Sequence, residues 1–251
     1  MRLPPLGFKD LIQKDKILKT ENYYSEQFKK PYESTKEFTK WLENINFITK
    51  DKAFSCLDLG SGMGETIFYF ARKYPKSIFV GVEKKRSLVL QGKVLLKNKK
   101  NIKIIHGNMF TYKPKKIFDL TTSLATISWI KDSKKAIHSL AKIARKKIAF
   151  TSLMYKGPIE CNINVHDFSG QYKDKKSWVS PYNIISIPKT IRQLRSYGFK
   201  KFYFKKFNIK KRLKRPNHGG MGTFTVMGSD KRLIQFSGPL HMPWYFFAAK
   251  R

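Results

Sequence analysis

Nine residues limit the fold of this chain more than any others. The run LDLGSGMGE, residues 57–65, joins a short apolar segment at 53–59 to an amphipathic one that starts at Glu65. Gly60, Gly62 and Gly64 allow a tight turn there and let a ligand approach the backbone amides closely. A glycine turn between a strand and a helix opens a βαβ unit, and the rest of the chain repeats that alternation. Short apolar runs at 77–82, 102–105, 117–124 and 146–153 read as further strands. Helical patterns cover 65–74 (stopped by Pro75), the stretch after 82 through about Lys97, and 133–145. Pro188 stands where another helix begins and Gly198 where it ends. Residues 202–209 and 244–249 read as strands, and 223–236 as a hairpin. Residues 1–50 read as a helical segment, with Phe28, Tyr32, Phe38, Trp41 and Leu42 at helical spacing. Residues 154–187 show little periodicity, and a loop of that length usually serves function. The expected architecture is therefore α/β, a doubly wound seven-stranded sheet with N-terminal helices and a C-terminal β-hairpin addition. One domain would span 51–251, with 154–187 and 221–238 as insertions on the ligand-binding edge.

The loop is neither of two common phosphate binders. A dinucleotide fingerprint needs G-x-G-x-x-G, but here the third glycine comes one residue early and Glu65 holds the position of the expected one. No Gly-Lys-Ser/Thr follows, which excludes a P-loop. The second strand ends in Gly81-Val82-Glu83, about twenty residues beyond the loop, where an acid can accept hydrogen bonds from both hydroxyls of a ribose. Of the six acids in residues 51–150, Asp58, Glu65 and Glu83 lie in these two motifs, inside a region otherwise dominated by lysine.

These residues resemble the class I S-adenosylmethionine-dependent methyltransferases, and the resemblance runs over 53–251. It implies a Rossmann-like sheet with S-adenosylmethionine as cofactor. It further implies that Gly60, Ser61, Gly62 and Gly64 form the loop against the methionine moiety, that Asp58 supports this loop, and that Glu83 holds the ribose. Asn108, in HGNMF, stands where the family usually has an Asp that meets the adenine amine, with Met109 against the ring. Ser123 and Leu124, ending the fourth strand, would face the methyl donor.

The acceptor is less marked. The stretch GMGETIFYFARKYPKSIFVGVE also looks like the tRNA guanine-N7 methyltransferases, but LTTSLATISWI stands where that family has a Pro-Asp-Pro-Trp type segment. Small-molecule methyltransferases of bacterial surface-polysaccharide and secondary-metabolite pathways are similar in size and in carrying a C-terminal addition. The expected acceptor is an oxygen or nitrogen of a small, anionic or sugar-like metabolite, and the alternative is tRNA or rRNA. In 154–187, His166 and Asp167 are the candidate catalytic base and its orienting partner, beside Asn162 and Asn164. His106 is expected to pack, while His218 and His241 lie in Gly- and Pro-rich turns that either shape the chain or wall the acceptor site. The histidines do not stand at metal-binding spacings, and no metal is expected.

Charge bears on the choice of acceptor. The chain carries 52 Lys+Arg against 17 Asp+Glu, a net charge of +35. The excess is +3 over residues 1–50 and +16 over each of 51–150 and 151–251, so it is not confined to a tail. Such a charge reads either as attraction for nucleic acid, phosphorylated metabolites or anionic surfaces, or as the composition of an AT-rich genome, which enriches Lys with Phe, Asn and Ile and carries no binding role. With 42 Lys and only 10 Arg, however, the chain lacks the guanidinium forks that specific phosphate and base recognition favours. The densest run is KKFNIKKRLKR at 205–215. No apolar run approaches the roughly 18 residues of a membrane span, and two cysteines exclude a disulfide framework. A soluble, cytoplasmic protein is expected.

Overall fold

The computed structural model describes residues 18–169, 178–217 and 219–251. Outside them fall the first part of the expected N-terminal helical segment, part of 154–187, and His218. Helices α1 (Leu18–Lys29) and α2 (Glu33–Asn44) precede β1 (Ser55–Leu59), α3 (Glu65–Lys73), β2 (Ile78–Glu83), α4 (Arg86–Leu95), β3 (Ile102–His106) and β4 (Phe118–Ser123). A 3₁₀ turn at Ile127–Trp129 leads into α5 (Ser133–Ile143) and β5 (Ala144–Tyr155). The chain continues through β6 (Cys161–Asp167), β7 (Trp178–Ser186), α6 (Ile187–Arg195) and β8 (Lys201–Lys206). It ends with β9 (Thr223–Met227), β10 (Leu233–Ser237), β11 (Leu240–His241) and β12 (Trp244–Lys250).

The central strands lie in the order β3-β2-β1-β4-β5-β12-β8. The first five are parallel, and β12 runs antiparallel to both β5 and β8. Alternation along the strands supplies both faces of the sheet. Leu57, Leu59, Ile148, Phe150 and Phe247 pack with Ile137 and Leu140 of α5 and Leu194 of α6. Cys56, Phe79, Ala149 and Phe246 pack with Phe38, Trp41 and Leu42 of α2 and with Ile67 and Phe70 of α3. The N-terminal helices thus belong to the core: Phe38 meets Phe246 edge-on at 5.3 Å between ring centres. Pro188 opens α6 as expected, with Ser186 as its N-cap. Gly198 follows its end in the left-handed region, at φ +80°.

Residues 154–187 are not the aperiodic loop that the sequence suggests. Their described parts form an antiparallel hairpin in which β6 and β7 pair over seven positions, from Cys161↔Ile184 to Asp167↔Trp178. β7 also joins β5 at Met154↔Ile185. The pattern is masked because polar residues occupy buried positions: Ser180, Asn183 and Ser186 are buried, while Ile163 and Val179 are exposed. The buried polar groups are satisfied, with Asn183 Nδ2 donating to the Ile130 carbonyl at 2.6 Å and Ser186 Oγ to that of Gly157 at 2.8 Å. The expected hairpin at 223–236 is present as β9 and β10, and β11 extends it to a separate three-stranded sheet.

The two additions meet each other. Leu153, Tyr182 and Met242 form a small core with Trp129, Val165, Ile184, Leu240 and Trp244. The Tyr182 hydroxyl donates to the His241 carbonyl. Leu153 and Trp244 are register partners at the carboxyl end of β5, so this lobe stands on the edge of the sheet where the glycine turn also lies.

Candidate cofactor site

Strand order reverses at β1, which lies between β2 and β4 and is followed by the glycine turn. A crevice opens there in doubly wound sheets, outside the carboxyl ends of the strands. The turn is locked from below, with the amides of Gly60 and Ser61 both reaching the Val82 carbonyl, at 2.8 and 3.2 Å. Gly64, the N-cap of α3, closes the loop by donating to the Ser61 carbonyl at 2.9 Å.

Two of the glycines are required by what lies against them. Gly60 has φ +78°, and a Cβ there would sit 2.6 Å from Thr126 Cγ2. Gly62 has φ +57°, and its Cβ would meet Tyr24 Cε1 at 2.8 Å and Glu65 Oε1 at 3.1 Å. The loop is thus wedged between α1, carrying Tyr24, and the turn after β4, carrying Thr126. That turn has an uncommon backbone of its own. Ala125 has φ +51°, a left-handed conformation that alanine seldom adopts, and its amide donates to Thr151 Oγ1 at 2.8 Å. Thr126 Oγ1 donates to the carbonyls of Leu124 and Gly60, at 2.9 and 3.3 Å.

The acids surround the loop. Glu83 Oε2 accepts from the Gly62 amide at 3.1 Å, and its Oε1 from the Lys85 amide at 2.8 Å. Asp58 is fully enclosed; its Oδ1 accepts from the Thr122 hydroxyl at 2.8 Å. Burial pushes its carboxyl up to about 7, the Thr122 hydrogen bond opposes this, and the Glu83 charge adds to it. Burial also pushes Glu65 up to about 8; hydrogen bonds from its own amide and that of Met63 oppose this, while the Asp58 and Glu83 charges add to it. Ser61 Oγ and Glu65 Oε2 are buried without a hydrogen-bond partner among the described residues.

The structure brings Asp58, Gly60, Ser61, Gly62, Gly64 and Glu83 together as one cradle. Asn108 and Met109 follow β3 on the same edge. Asn108 Oδ1 accepts from the Phe110 amide at 3.0 Å, so the oxygen expected to meet an adenine amine already takes part in its own turn. Met109 packs among Leu59, Val82 and other core residues. Ser123 is fully buried and donates to the Leu59 carbonyl at 2.7 Å, bracing β4 against β1. It therefore does not present its hydroxyl to a methyl donor. Leu124, next in line, is partly buried in the core that contains α3.

The two candidate catalytic residues lie on the lobe rather than in the cradle. His166 is exposed at the end of β6, its ring stacked near that of Phe168, with 6.3 Å between centres. Asp167 is buried, and it accepts from the Ser169 amide at 2.9 Å and the Met221 amide at 2.7 Å. Its carboxylate thus ties β6 to the glycine-rich turn before β9 and is not open to act as a base. His106 Nε2 lies 3.0 Å from the Lys84 carbonyl. Tyr24, Glu65, Ala125 and Thr126 were not expected at the site. Glu65 was visible as an irregularity of the motif, but a left-handed alanine and a tyrosine brought in from α1 leave no local signal.

A glycine cradle at the reversal point, an acid at the end of β2 and two buried polar atoms awaiting partners define a nucleoside-binding site on a Rossmann-like sheet. An amino-acid-bearing nucleoside fits this chemistry, because Ser61 and Glu65 offer polar atoms beside the loop while Glu83 faces it from β2. The chain belongs to the methyltransferase domain family, which residues 50–180 match, and its cofactor is S-adenosylmethionine. No curated protein is similar in sequence to the chain. Among solved structures, YcgJ from Bacillus subtilis is similar over 79% of this chain and 92% of its own, with 13% identity and a TM-score of 0.54. The 1,6-didemethyltoxoflavin-N1-methyltransferase of Burkholderia thailandensis is similar over 92% and 84%, with 10% identity and a TM-score of 0.53. PKMT2 from Rickettsia typhi, solved with S-adenosylhomocysteine, is 22% identical over 39% of this chain, with a TM-score of 0.37, and the chain spans 21% of its length. The likenesses to YcgJ and to the Burkholderia thailandensis enzyme establish the shared fold.

Proposed function

We propose that the chain transfers the methyl group of S-adenosylmethionine to an oxygen or nitrogen of a small, anionic or sugar-like metabolite. The observation that carries this reading is the lobe of β6–β7 and β9–β11. It borders a cleft of about 390 Å³ lined by His166, Asp167, Phe168, Gly219, Met221 and Pro239, among others. That volume is of the order that small-molecule sites have. The likeness to a methyltransferase solved with bound 1,6-didemethyltoxoflavin supports a metabolite substrate. Surface-polysaccharide precursors belong to the same acceptor class.

The cofactor supplies an electrophilic methyl group on a sulfonium. The chain's own part is to hold the nucleoside end with Glu83, Asn108 and Met109, to shape the loop with Gly60, Ser61, Gly62 and Gly64 over Asp58, and to bring the acceptor into line. Ser123 acts through Leu59, fixing the strand ends on which Leu124 is presented. An acceptor hydroxyl or amine must lose a proton, and His166 is the group we assign to take it. Asp167 positions the wall on which His166 stands by holding the Met221 amide. An acceptor that is already ionised would need no base. Two free cysteines fit a cytoplasmic enzyme, and no described helix is long and apolar enough to cross a membrane.

A second reading, methylation of RNA, is favoured by one observation. Lys205, Lys206, Lys210, Lys211, Arg212 and Lys214 are all exposed, and none joins an ion pair among the described residues. Methyl transfer from labelled cofactor to a metabolite panel and to total RNA decides between the readings. Turnover on a metabolite but not on RNA supports ours. Turnover on RNA, with binding that falls steeply with salt, overturns it.

A further inference from the structure

Glu65 is the group beside the loop whose surroundings least explain it. It opens α3, where an acid normally faces solvent and gains from the helix dipole. Here the side chain folds back on the loop instead, where the amides of Met63 and Glu65 itself favour its charged form, with Oε1 at 3.1 Å from the position of a Cβ on Gly62 and Oε2 buried without a partner among the described residues. Tyr24 of α1 lies against the same glycine. Asp58 and Glu83 are near enough to repel its charge. Three carboxylates thus share one small region of a chain of net charge +35. Yet among the described residues no Lys or Arg forms an ion pair with any of them. Leaving buried acids unpaired is costly, and a bound cation would remove the cost.

We infer that Glu65 receives the α-ammonium group of S-adenosylmethionine at the methionine end of the glycine loop, with Tyr24 of α1 covering the contact. An ammonium carries three N–H donors and no acceptor, matching a carboxylate whose Oε2 has no donor among the described residues. The inference rests on the cofactor assignment and adds to it a residue outside the glycines and the ribose acid. It also accounts for the glutamate at a position where a dinucleotide loop has glycine.

The test compares the unaltered chain with Glu65→Gln by calorimetry, using S-adenosylmethionine, S-adenosylhomocysteine and 5′-methylthioadenosine. The last keeps the nucleoside and the sulfur but lacks the amino-acid end. Glu65→Gln should weaken the first two by about ten- to a hundredfold and leave methylthioadenosine within about twofold. Equal losses for all three, or no loss, would overturn the inference. Failure of the unaltered chain to bind any of them would overturn the cofactor assignment as well. A second measurement needs no variant: proton release on binding at pH 7, from titrations in two buffers of different ionisation enthalpy. The titratable groups facing Glu65 are Asp58 from β1, Glu83 from β2 and Tyr24 from α1, while β3 and the C-cap of α4 bring Ile104 and Leu96 to the loop. S-Adenosylhomocysteine should release more protons than methylthioadenosine, and equal counts would overturn the inference.

Discussion

Glu83 Oε2 accepts a hydrogen bond from the backbone amide of Gly62 at 3.1 Å, across the 21 residues that separate the end of β2 from the glycine turn. One carboxylate therefore shapes the loop and stands where a ribose is held. Glu83→Ala removes both contacts, and S-adenosylhomocysteine affinity should fall by about 1–3 kcal/mol, the usual loss when hydrogen-bonding partners are stranded. Calorimetry on the two proteins measures this, and unchanged affinity would remove Glu83 from the site.

Gly60 is held against Thr126 with no room for a methyl group. Gly60→Ala combines a left-handed backbone with a steric clash, and should destabilise the fold by about 2–4 kcal/mol. Adding Thr126→Gly should recover the steric part and leave the backbone part. Denaturant unfolding of the single and double variants would show this, and a double variant no more stable than Gly60→Ala would contradict the contact.

The buried acids give the unliganded protein a pH dependence of definite sign. Burial raises Asp58 to about 7 and Glu65 to about 8, whereas unfolded carboxyls titrate near about 4. Between these limits the native state binds more protons than the unfolded one, so stability falls as pH rises and levels off above about pH 8. Glu43 and Asp119 act in the opposite sense. Despite their burial, Lys73 and Tyr74 hold the first below its ordinary range, and Ser55 and Arg145 the second. Their contribution is present above the unfolded value and is lost only in acid. Melting curves from pH 5 to 9 should show a declining Tm that Glu65→Gln partly flattens. A Tm that rises over this interval would contradict the burial of these acids.

His166 and Asp167 make separable predictions. His166→Ala should lower turnover by about 10²–10⁴-fold if the imidazole takes the acceptor's proton, with cofactor affinity unchanged. Asp167→Asn keeps the size of the side chain but weakens its acceptance from the Ser169 and Met221 amides. It should lower stability and loosen the 219–221 turn without imitating the pH profile of the His166 variant. Steady-state rates across pH, together with melting temperatures, separate the two. Full activity in His166→Ala would leave the proton to another group or to an acceptor that has none.

Much of this was legible in the chain because its signals are local. Gly60, Gly62 and Gly64 mark a turn whose φ values are all positive, and β1 to β5 are short apolar runs set between amphipathic helices. Pro188 and Gly198 bracket α6 for equally local reasons. What could not be read depends on contacts between distant residues. The β6–β7 hairpin hides Ser180, Asn183 and Ser186 inside and exposes Ile163 and Val179, inverting the pattern by which a strand is recognised. Ser123 looked available at the end of β4, but its partner is the Leu59 carbonyl, 64 residues earlier. Tyr24 reaches Gly62 only through the packing of α1, marked by the Phe28–Phe68 contact with α3 at 5.2 Å between ring centres. An acid next to a histidine suggests chemistry at Asp167, and only its distant neighbour Met221 reveals that it also ties two backbone segments together.

The most direct test of the central claim is amide hydrogen exchange of the whole chain with and without S-adenosylhomocysteine. The cofactor site described above predicts added protection at residues 60–65, 83–85 and 108–112 and at the turn after Ser123, all on the carboxyl edge of the sheet. Saturable binding with protection confined to these segments is the expected result. A folded chain that shows no binding, or protection only at the opposite edge around Ser55, Asp119 and Arg145, would contradict it.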